Sequence, residues 1–247
     1  MEQTTYILSD GRRLGSWDDF GLAKTERTKI SPPVRRTNEI KIPGVSGSVD
    51  LMRFMDAAPT YDTRTLTDVF VIVKGQRHWE QKKTMLYRVL NGSRCRIICD
   101  RDKSYYWEGT VSVTDVSDGR DVLKIKVTAK VFPYKYELCS STEPWLWDPF
   151  NFHYGAIRDY CDISVSTSRS FTVQCGDLPV MPGFWTSDSG MGVTYNGVSV
   201  SLTQRSASQN PKTFEQFYGI VLPGGGDRTL TLTGTGKIWI DYRGGYL

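Results

Sequence analysis

Histidine is nearly missing. His78 and His153 are the only two in 247 residues, and neither has a cysteine or a second histidine at ligand spacing, which removes the usual basis for a zinc centre or imidazole catalysis. Cysteine shows no pairing pattern. The five, Cys95, Cys99, Cys139, Cys161 and Cys175, are odd in number and form no C-x-x-C, which fits free thiols better than a disulfide framework. Cys95 and Cys99 stand four apart, so on a strand they share a face and cannot easily bridge each other. Long apolar runs are lacking too. Val69 to Val73 is about the longest, far short of the roughly 18–20 residues a membrane-crossing helix needs. The start, MEQTTYILSDGRRL, has no basic region followed by an apolar stretch, so no secretory signal is evident, and synthesis and retention in a cytosol is the expectation. Charge of one sign is scarce as well: 31 Lys and Arg against 27 Asp and Glu leave +4 with no block of like charges, so no nucleic-acid footprint is visible.

What is present is aromatic and alternating. Hydrophobic residues make up 39% and aromatics 12%, enough for a real core, and the length suits one large all-β domain or two of about 100–150 residues. Two-residue alternation predicts strands at Tyr6 to Leu8, Glu39 to Ile42, Val69 to Val73, Cys95 to Cys99, Tyr105 to Val113 and Val122 to Phe132. Asn91-Gly92, Asp118-Gly119 and Asn196-Gly197, each flanked by strand-like runs, read as hairpin corners, because both residues of each pair tolerate positive φ. His78 to Leu90 breaks the period. Trp79, Leu86, Val89 and Leu90 fall near one helical stripe with Asn91-Gly92 as a stop, which predicts the principal helix. After Phe132 the texture changes, with Pro133 and then EPWLWDPF, and a domain junction is expected between about 134 and 160. Five short strands should follow, at Ser164 to Val173, Val193 to Leu202, Phe217 to Leu222, Thr229 to Leu232 and Lys237 to Tyr242, a spacing that suits a β-sandwich.

Candidates for chemistry are thin. Asp100-Arg101-Asp102 and the acids from Asp115 to Asp121 could supply paired carboxylates for glycoside hydrolysis. Both clusters fall at strand ends, where acids simply solvate turns, and neither has the alternating oxygen ligands of a calcium loop. Gly44-Val45-Ser46-Gly47 is followed by no Lys-Ser/Thr and opens no helix, and Gly224-Gly225-Gly226-Asp227 lies between expected strands. Neither meets a P-loop or dinucleotide fingerprint, so tight turns are the reading. Pro43 should end the Glu39 to Ile42 strand while Gly44 and Gly47 turn the chain into a strand at Ser48 to Leu51. The residues fit a plain corner and a corner that also docks a neighbour equally well. Tyr105-Tyr106-Trp107 and Trp145-Leu146-Trp147 could stack on sugars or bases, though alternation would bury one side of each trio. No catalytic, metal or cofactor residue is assigned.

The order of segments carries more than any one of them. First comes EIKIPGVSGSVDL, with Ile42, Pro43, Gly44, Gly47 and Asp50, and then Tyr61 and Arg64 ahead of a β run. The Trp79 helix follows, then IICDRDKSYYWEGTVS with Asp100, Asp102, Tyr105, Tyr106 and Gly109, then Pro133, Tyr134, Lys135 and Tyr136. In this order they resemble the distal tail protein family of long-tailed bacteriophages. Gly176 to Pro182, Val221 to Gly224 and Ile238 to Arg243 resemble the sandwich that ends these proteins. The usual close Y-R-x-G-W-L stands here as Tyr242-Arg243-Gly244-Gly245-Tyr246-Leu247, with Tyr in place of Trp.

The resemblance covers nearly the whole chain. It implies a mainly β fold, with an N-terminal sandwich or barrel-like domain carrying one principal helix over 1–138, then a galectin-like β-sandwich over 139–247. It implies a non-enzymatic homo-hexameric ring at the virion tail tip, assembled in the host cytoplasm. The first domain would form the ring around the DNA channel and the second would face outward. Implied partners are the tail-tube, tape-measure and tail-tip or tail-associated proteins and receptor-binding or baseplate proteins, with DNA only as passing cargo, no cofactor and no membrane insertion. Some relatives hold an inserted carbohydrate-binding module, for which this chain has no room. Two other functions compete: a carbohydrate-binding module using Trp145, Trp147, Trp185 and Trp239, and a glycosidase or peptidase using Asp100, Asp102 or Glu108.

Overall fold

The computed structural model describes every residue except Met1, Ile42, Val45, Pro211 and the stretches 52–59, 73–78, 119–121 and 144–156, and of 115–118 the backbone alone. Its fold is mainly β with one principal helix, as alternation and aromatic content lead one to expect. The chain divides into two compact units, Met1–Asp102 with Trp107–Pro133, and Lys103–Tyr106 with Tyr134–Leu247. His78, His153, Trp145, Trp147, Val73 and Gly119 lie outside the described residues.

The first unit is an antiparallel sheet built from β1 (Thr4–Leu8), β2 (Arg13–Gly15), β3 (Leu22–Lys24), β4 (Lys29–Ile30), β7 (Arg64–Ile72), β8 (Arg94–Cys99), β9 (Tyr105–Asp118) and β10 (Leu123–Val131). The strands run in the order β2-β1-β8-β9-β10-β7-β3, with β4 also on β7. A separate pair, β5 (Glu39–Ile40) and β6 (Val49–Asp50), forms a small hairpin. The sequence LKIKVTAKV of β10 shows why a strand forms there: Leu123, Ile125, Val127, Ala129 and Val131 are buried while Lys124, Lys126 and Lys130 point to water. Helix α1 (Trp79–Leu90) buries Leu86 and Leu90, with Trp79 and Val89 packed at the margin of the same core, which is the expected stripe.

Strand β7 is longer than expected because a carboxylate interrupts its apolar pattern. Leu66, Phe70 and Ile72 face the core, and Asp68 occupies the same side, fully buried opposite Val127. The charge is compensated locally. The Lys24 ammonium lies 3.0 Å from Asp68 Oδ1, with those side chains 6% and 0% exposed. Thr4 Oγ1 donates to Asp68 Oδ2 at 2.8 Å and accepts from Lys24 Nζ at 2.9 Å. The pair therefore links β3, β7 and β1 through charge-assisted hydrogen bonds in the sheet's own interior.

The second unit contains β11 (Lys135–Glu137), β12 (Ile163–Cys175), β13 (Gly183–Trp185), β14 (Gly192–Tyr195), β15 (Val198–Ser201), β16 (Glu215–Gln216), β17 (Gly226–Asp241) and β18 (Gly245–Tyr246). One sheet runs β15-β14-β17-β13-β16, with β12 along the other side of β17. Val165, Val173, Phe184, Val193, Leu230, Leu232, Ile238 and Ile240 point into its core.

Several boundaries differ from expectation, each for a local reason. Thr229 to Leu232 and Lys237 to Tyr242 belong to the single strand β17, because Gly234 (φ 109) and Gly236 (φ 154) keep the ladder going where glycine alone is comfortable. Val193 to Leu202 is a hairpin, folded at Asn196 and Gly197, both at positive φ. Phe217 to Leu222 forms no strand. Its buried Ile220 and Leu222 are held by a turn and by an isolated bridge from Leu222 to Val180, and the nearby strand is Glu215–Gln216. Strand β5 stops at Ile40.

All five cysteines are free. Burial pushes the Cys95 thiol up to about 11, so it is protonated at pH 8. A thiol reagent at that pH should modify all five in guanidinium yet leave Cys95 untouched in the folded chain, and peptide mapping showing rapid native labelling of Cys95 would contradict its burial. For the inner ion pair, Asp68→Ala should cost about 3–5 kcal/mol in urea unfolding, because Lys24 is left buried and unpaired. The triple change Thr4→Val, Lys24→Met, Asp68→Leu should cost less than that single one. Equal or greater loss in the triple variant would show that the pair is not compensated by polarity alone.

Candidate interaction surfaces

The first surface is an arm around the glycine-rich corner. Glu39 pairs with Asp50 and Ile40 with Val49, and the turn between them holds Gly44 at φ 85 and Gly47 at φ 98. A Cβ at either glycine would meet nothing within 4 Å, so the backbone angle, not crowding, requires glycine here. Asp50 Oδ1 accepts from Asn38 N at 3.2 Å, Ser48 Oγ donates to Glu39 Oε2 at 2.7 Å, and Leu51 N donates to Asn38 O at 2.9 Å. Pro43 sits in the exposed turn, and Ile42 lies outside the described residues. At the base Tyr61 bridges to Arg35, Arg36 N donates to Thr60 O at 2.8 Å, and the Arg36 guanidinium meets Asp62 at 2.9 Å. These bonds join one half of the arm to the other. Val34 and Ile40 are large apolar side chains left open to solvent, 60% and 45% exposed.

Arg64 opens β7 and serves packing. Its Nε donates to Ser31 O at 2.6 Å, Nη1 donates to Pro133 O at 3.4 Å, and the guanidinium lies 4.8 Å from the Trp107 ring centre. Asp100 and Asp102 form a one-turn 3-10 segment after β8. Gln3 N donates to Asp100 Oδ2 at 2.8 Å while Asp100 N donates to Gln3 O at 3.2 Å, a reciprocal clamp on the start of the chain. Glu108 is held by Arg94 at 2.6 Å. Asp100 and Glu108 thus serve different neighbours, and among the described residues no group of three or more His, Cys, Asp and Glu could hold a metal ion. Gly109 is required by close approach: a Cβ there would lie 2.1 Å from Lys130 O on β10.

The trio Tyr105-Tyr106-Trp107 does not present one free face. All three are buried: Trp107 in the first core, Tyr105 edge-on to Tyr246 at 5.4 Å and Tyr106 stacked on Tyr136 at 5.7 Å. Alternation cannot leave a face open where rings cover both sides of the strand. In the second unit β11 lies between Tyr105–Tyr106 and β18, pairing Tyr136 with Tyr106 and Lys135 with Tyr246, and Tyr134 is buried just before it. The two segments that read PYKY and YRGGYL are therefore neighbours in one ladder.

A carboxylate that sequence reasoning missed organises this region. Glu137 accepts from the buried guanidinium of Arg158, from Gly244 N at 2.8 Å and from Tyr246 Oη at 2.8 Å. Arg158 also donates to Gln174 O at 3.0 Å and stacks over the Tyr242 ring at 5.2 Å. Burial disfavours the charged guanidinium, but its hydrogen bond to Glu137 outweighs that and holds its pKa above the ordinary arginine value. The Tyr242 hydroxyl accepts from Gly176 N at 2.9 Å, and burial pushes that phenol up. Arg243 donates to the carbonyls of Glu137 and Leu138 and reaches Glu143 at 2.8 Å. No spacing rule connects Glu137 with Arg158, so no local signal announces them.

Of the four tryptophans named for sugar, the two described, Trp185 and Trp239, have their rings occupied from within the chain. Trp185 is buried and meets Trp239 edge-on at 5.9 Å, and Lys212 places its ammonium 3.8 Å from the Trp239 ring centre and 4.9 Å from that of Trp185. Their indole N–H groups donate to Gln209 and Asp162, both at 3.1 Å. The tryptophans are consumed by a cation–π clamp from within the chain.

No protein-family model matches the chain, and none of the curated proteins does either. Among solved structures it is similar to the Dit protein of phage SPP1, described as a paradigm of the hub adsorption apparatus in phages that infect Gram-positive bacteria, with 13% identity and a TM-score of 0.57 over 98% of this chain and 99% of that one. At that identity the likeness is one of fold, and it extends over the full length of both chains.

Proposed function

We propose that this chain is a structural hub protein of a phage tail tip, acting through assembly and not through chemistry. The observation that carries the reading is the end-to-end fold likeness to SPP1 Dit, joined to the family's segments in their order along the sequence. In finer detail the chain forms a homo-hexameric ring between the tail-tube protein and the tail-tip or baseplate and adsorption proteins, with the tape-measure protein and DNA passing within. Residues 1–138 make the ring and 139–247 face outward, at the tip of a virion assembled in the host cytoplasm.

Physical reasoning supports this assignment. A closed head-to-tail ring needs two different complementary patches per subunit. The hairpin of Glu39–Ile40 with Val49–Asp50 offers one: its two short strands pair with no further strand among the described residues, and nearby Val34 and Ile40 are exposed. The net charge of +4 suits a channel past which DNA slides, since each phosphate neutralised by Lys or Arg would add affinity and friction. A sugar module built on Trp185 and Trp239 is disfavoured by Lys212 over their rings. A hydrolase built on Asp100 and Glu108 is disfavoured by their separate partners, Gln3 and Arg94.

Light scattering on the purified chain across a concentration series, alone and with its tail-tube protein, tests the reading. A mass approaching six copies is expected. Gly47→Val puts a β-branched residue at φ 98, a conformation that costs about 1–3 kcal/mol, and should lower the assembled fraction while leaving the monomer folded. A persistent wild-type monomer even with the tube protein contradicts the hub. Intact rings from Gly47→Val remove the corner from the interface.

A further inference from the structure

The outer face of the second unit's sheet has a composition that neither the core nor the arm explains. Strands β12 and β17 run antiparallel in unbroken register from Ile163↔Ile238 to Cys175↔Gly226. On the inner side this register places Val165, Val173, Leu230 and Leu232 in the core. On the outer side it sets Ser166, Ser168, Ser170 and Thr172 against Thr235, Thr233, Thr231 and Thr229. The array widens across β14 and β15, where Thr231 faces Thr194 and Thr194 faces Ser199. One row therefore reads Ser170, Thr231, Thr194, Ser199 across four strands, with strands about 4.8 Å apart and rows about 6.6 Å apart along them. Gly192 completes the next row, and a Cβ there would lie 2.8 Å from Thr233 Oγ1.

Two further properties narrow what such a face can hold. Formal charge is confined to its ends, at Lys237 opposite Ser164 and at Asp227 opposite Gln174. The hydroxyls are also unengaged. Thr194 and Ser199 bond each other at 2.8 Å, whereas the eight facing one another on β12 and β17 find no side-chain partner among the described residues. Elsewhere in the chain Thr4, Ser141 and Thr186 all use theirs. A hydroxyl both donates and accepts, so a lattice of them complements a ligand that does the same repeatedly. An anionic polymer would find no counter-charge here, and a protein partner would find none of the aromatic or aliphatic centre that protein interfaces bury.

We propose that this face is a binding surface for an uncharged polysaccharide, lying over the hydroxyl rows of β12, β17, β14 and β15. Each contact contributes little against water, and affinity comes from many contacts made at once along a repeating chain. The rows end at Lys237, two residues before Trp239, which lies on the same side of β17 and whose ring Lys212 covers, and the proposal stands whether or not the chain assembles as a hub.

Affinity electrophoresis of the full chain in native gels containing dextran, hydroxyethylcellulose or glycol chitin tests it. At least one of these neutral polymers should retard the protein. Thr231→Val with Thr233→Val, which keep shape and β propensity, should weaken that retardation about tenfold with melting temperature unchanged. No retardation by any of the three overturns the proposal, as does undiminished retardation of the double variant in the polymer that retards the parent. Retardation by dextran sulfate but not by dextran would show a charge-driven contact and overturn it too. Loss in Trp239→Ala with no loss in the double threonine variant would assign binding to the ring instead.

Discussion

Glu137 is the point on which the second unit closes. A carboxylate buried beside Arg158 would be costly alone, and so would the guanidinium. Together they satisfy each other, and the remaining acceptor capacity of Glu137 takes the amide of Gly244 and the hydroxyl of Tyr246. Those two groups belong to the final turn and strand of the chain, so one ion pair fixes where the terminus returns. Once Tyr246 is held against Lys135, the Tyr242 hydroxyl can meet Gly176 and Arg243 can reach the carbonyls of Glu137 and Leu138. Packing alone would leave that register loosely specified, because β11 and β18 are only three and two residues long.

The same logic recurs throughout the molecule. Polar residues of the segments that carry the resemblance, such as Asp50, Asp100, Arg64 and Arg243, hold backbone in place: a hairpin base, the N-terminal strand, a loop carbonyl pair, a closing turn. Buried polar groups such as Asp68 with Lys24 are compensated by one another within the sheet. This distribution is compatible with the proposed hub role, in which surfaces would do the work and the side chains behind them keep strands at fixed register.

Legibility in the sequence followed how local each determinant is. Strand β10 and helix α1 could be read from period alone, because every second residue or one helical stripe is apolar. The start of β7 was hidden by Asp68, a charge at a core position that only Lys24 and Thr4, distant in sequence, make tolerable. Strand β17 looked like two because Gly-Thr-Gly reads as a break, while the folded ladder accepts both glycines at positive φ. The hairpin at Asn196-Gly197 was readable since its chemistry is contained in two residues, whereas Asn91-Gly92 joins α1 to β8 and closes no hairpin. The segments that carry the resemblance could be read in order along the chain, but they did not show that PYKY and YRGGYL would be strand neighbours. Glu137 and Arg158 lay beyond any motif.

The proposed hub role places this chain at the junction of a tail tube with its tip. Immunogold labelling of intact tailed particles with an antibody raised against this chain tests that placement directly. The account expects gold at the distal end of the tail and nowhere along the tube. Label spread along the tube, on the capsid, or absent from particles while present in the lysate would contradict it.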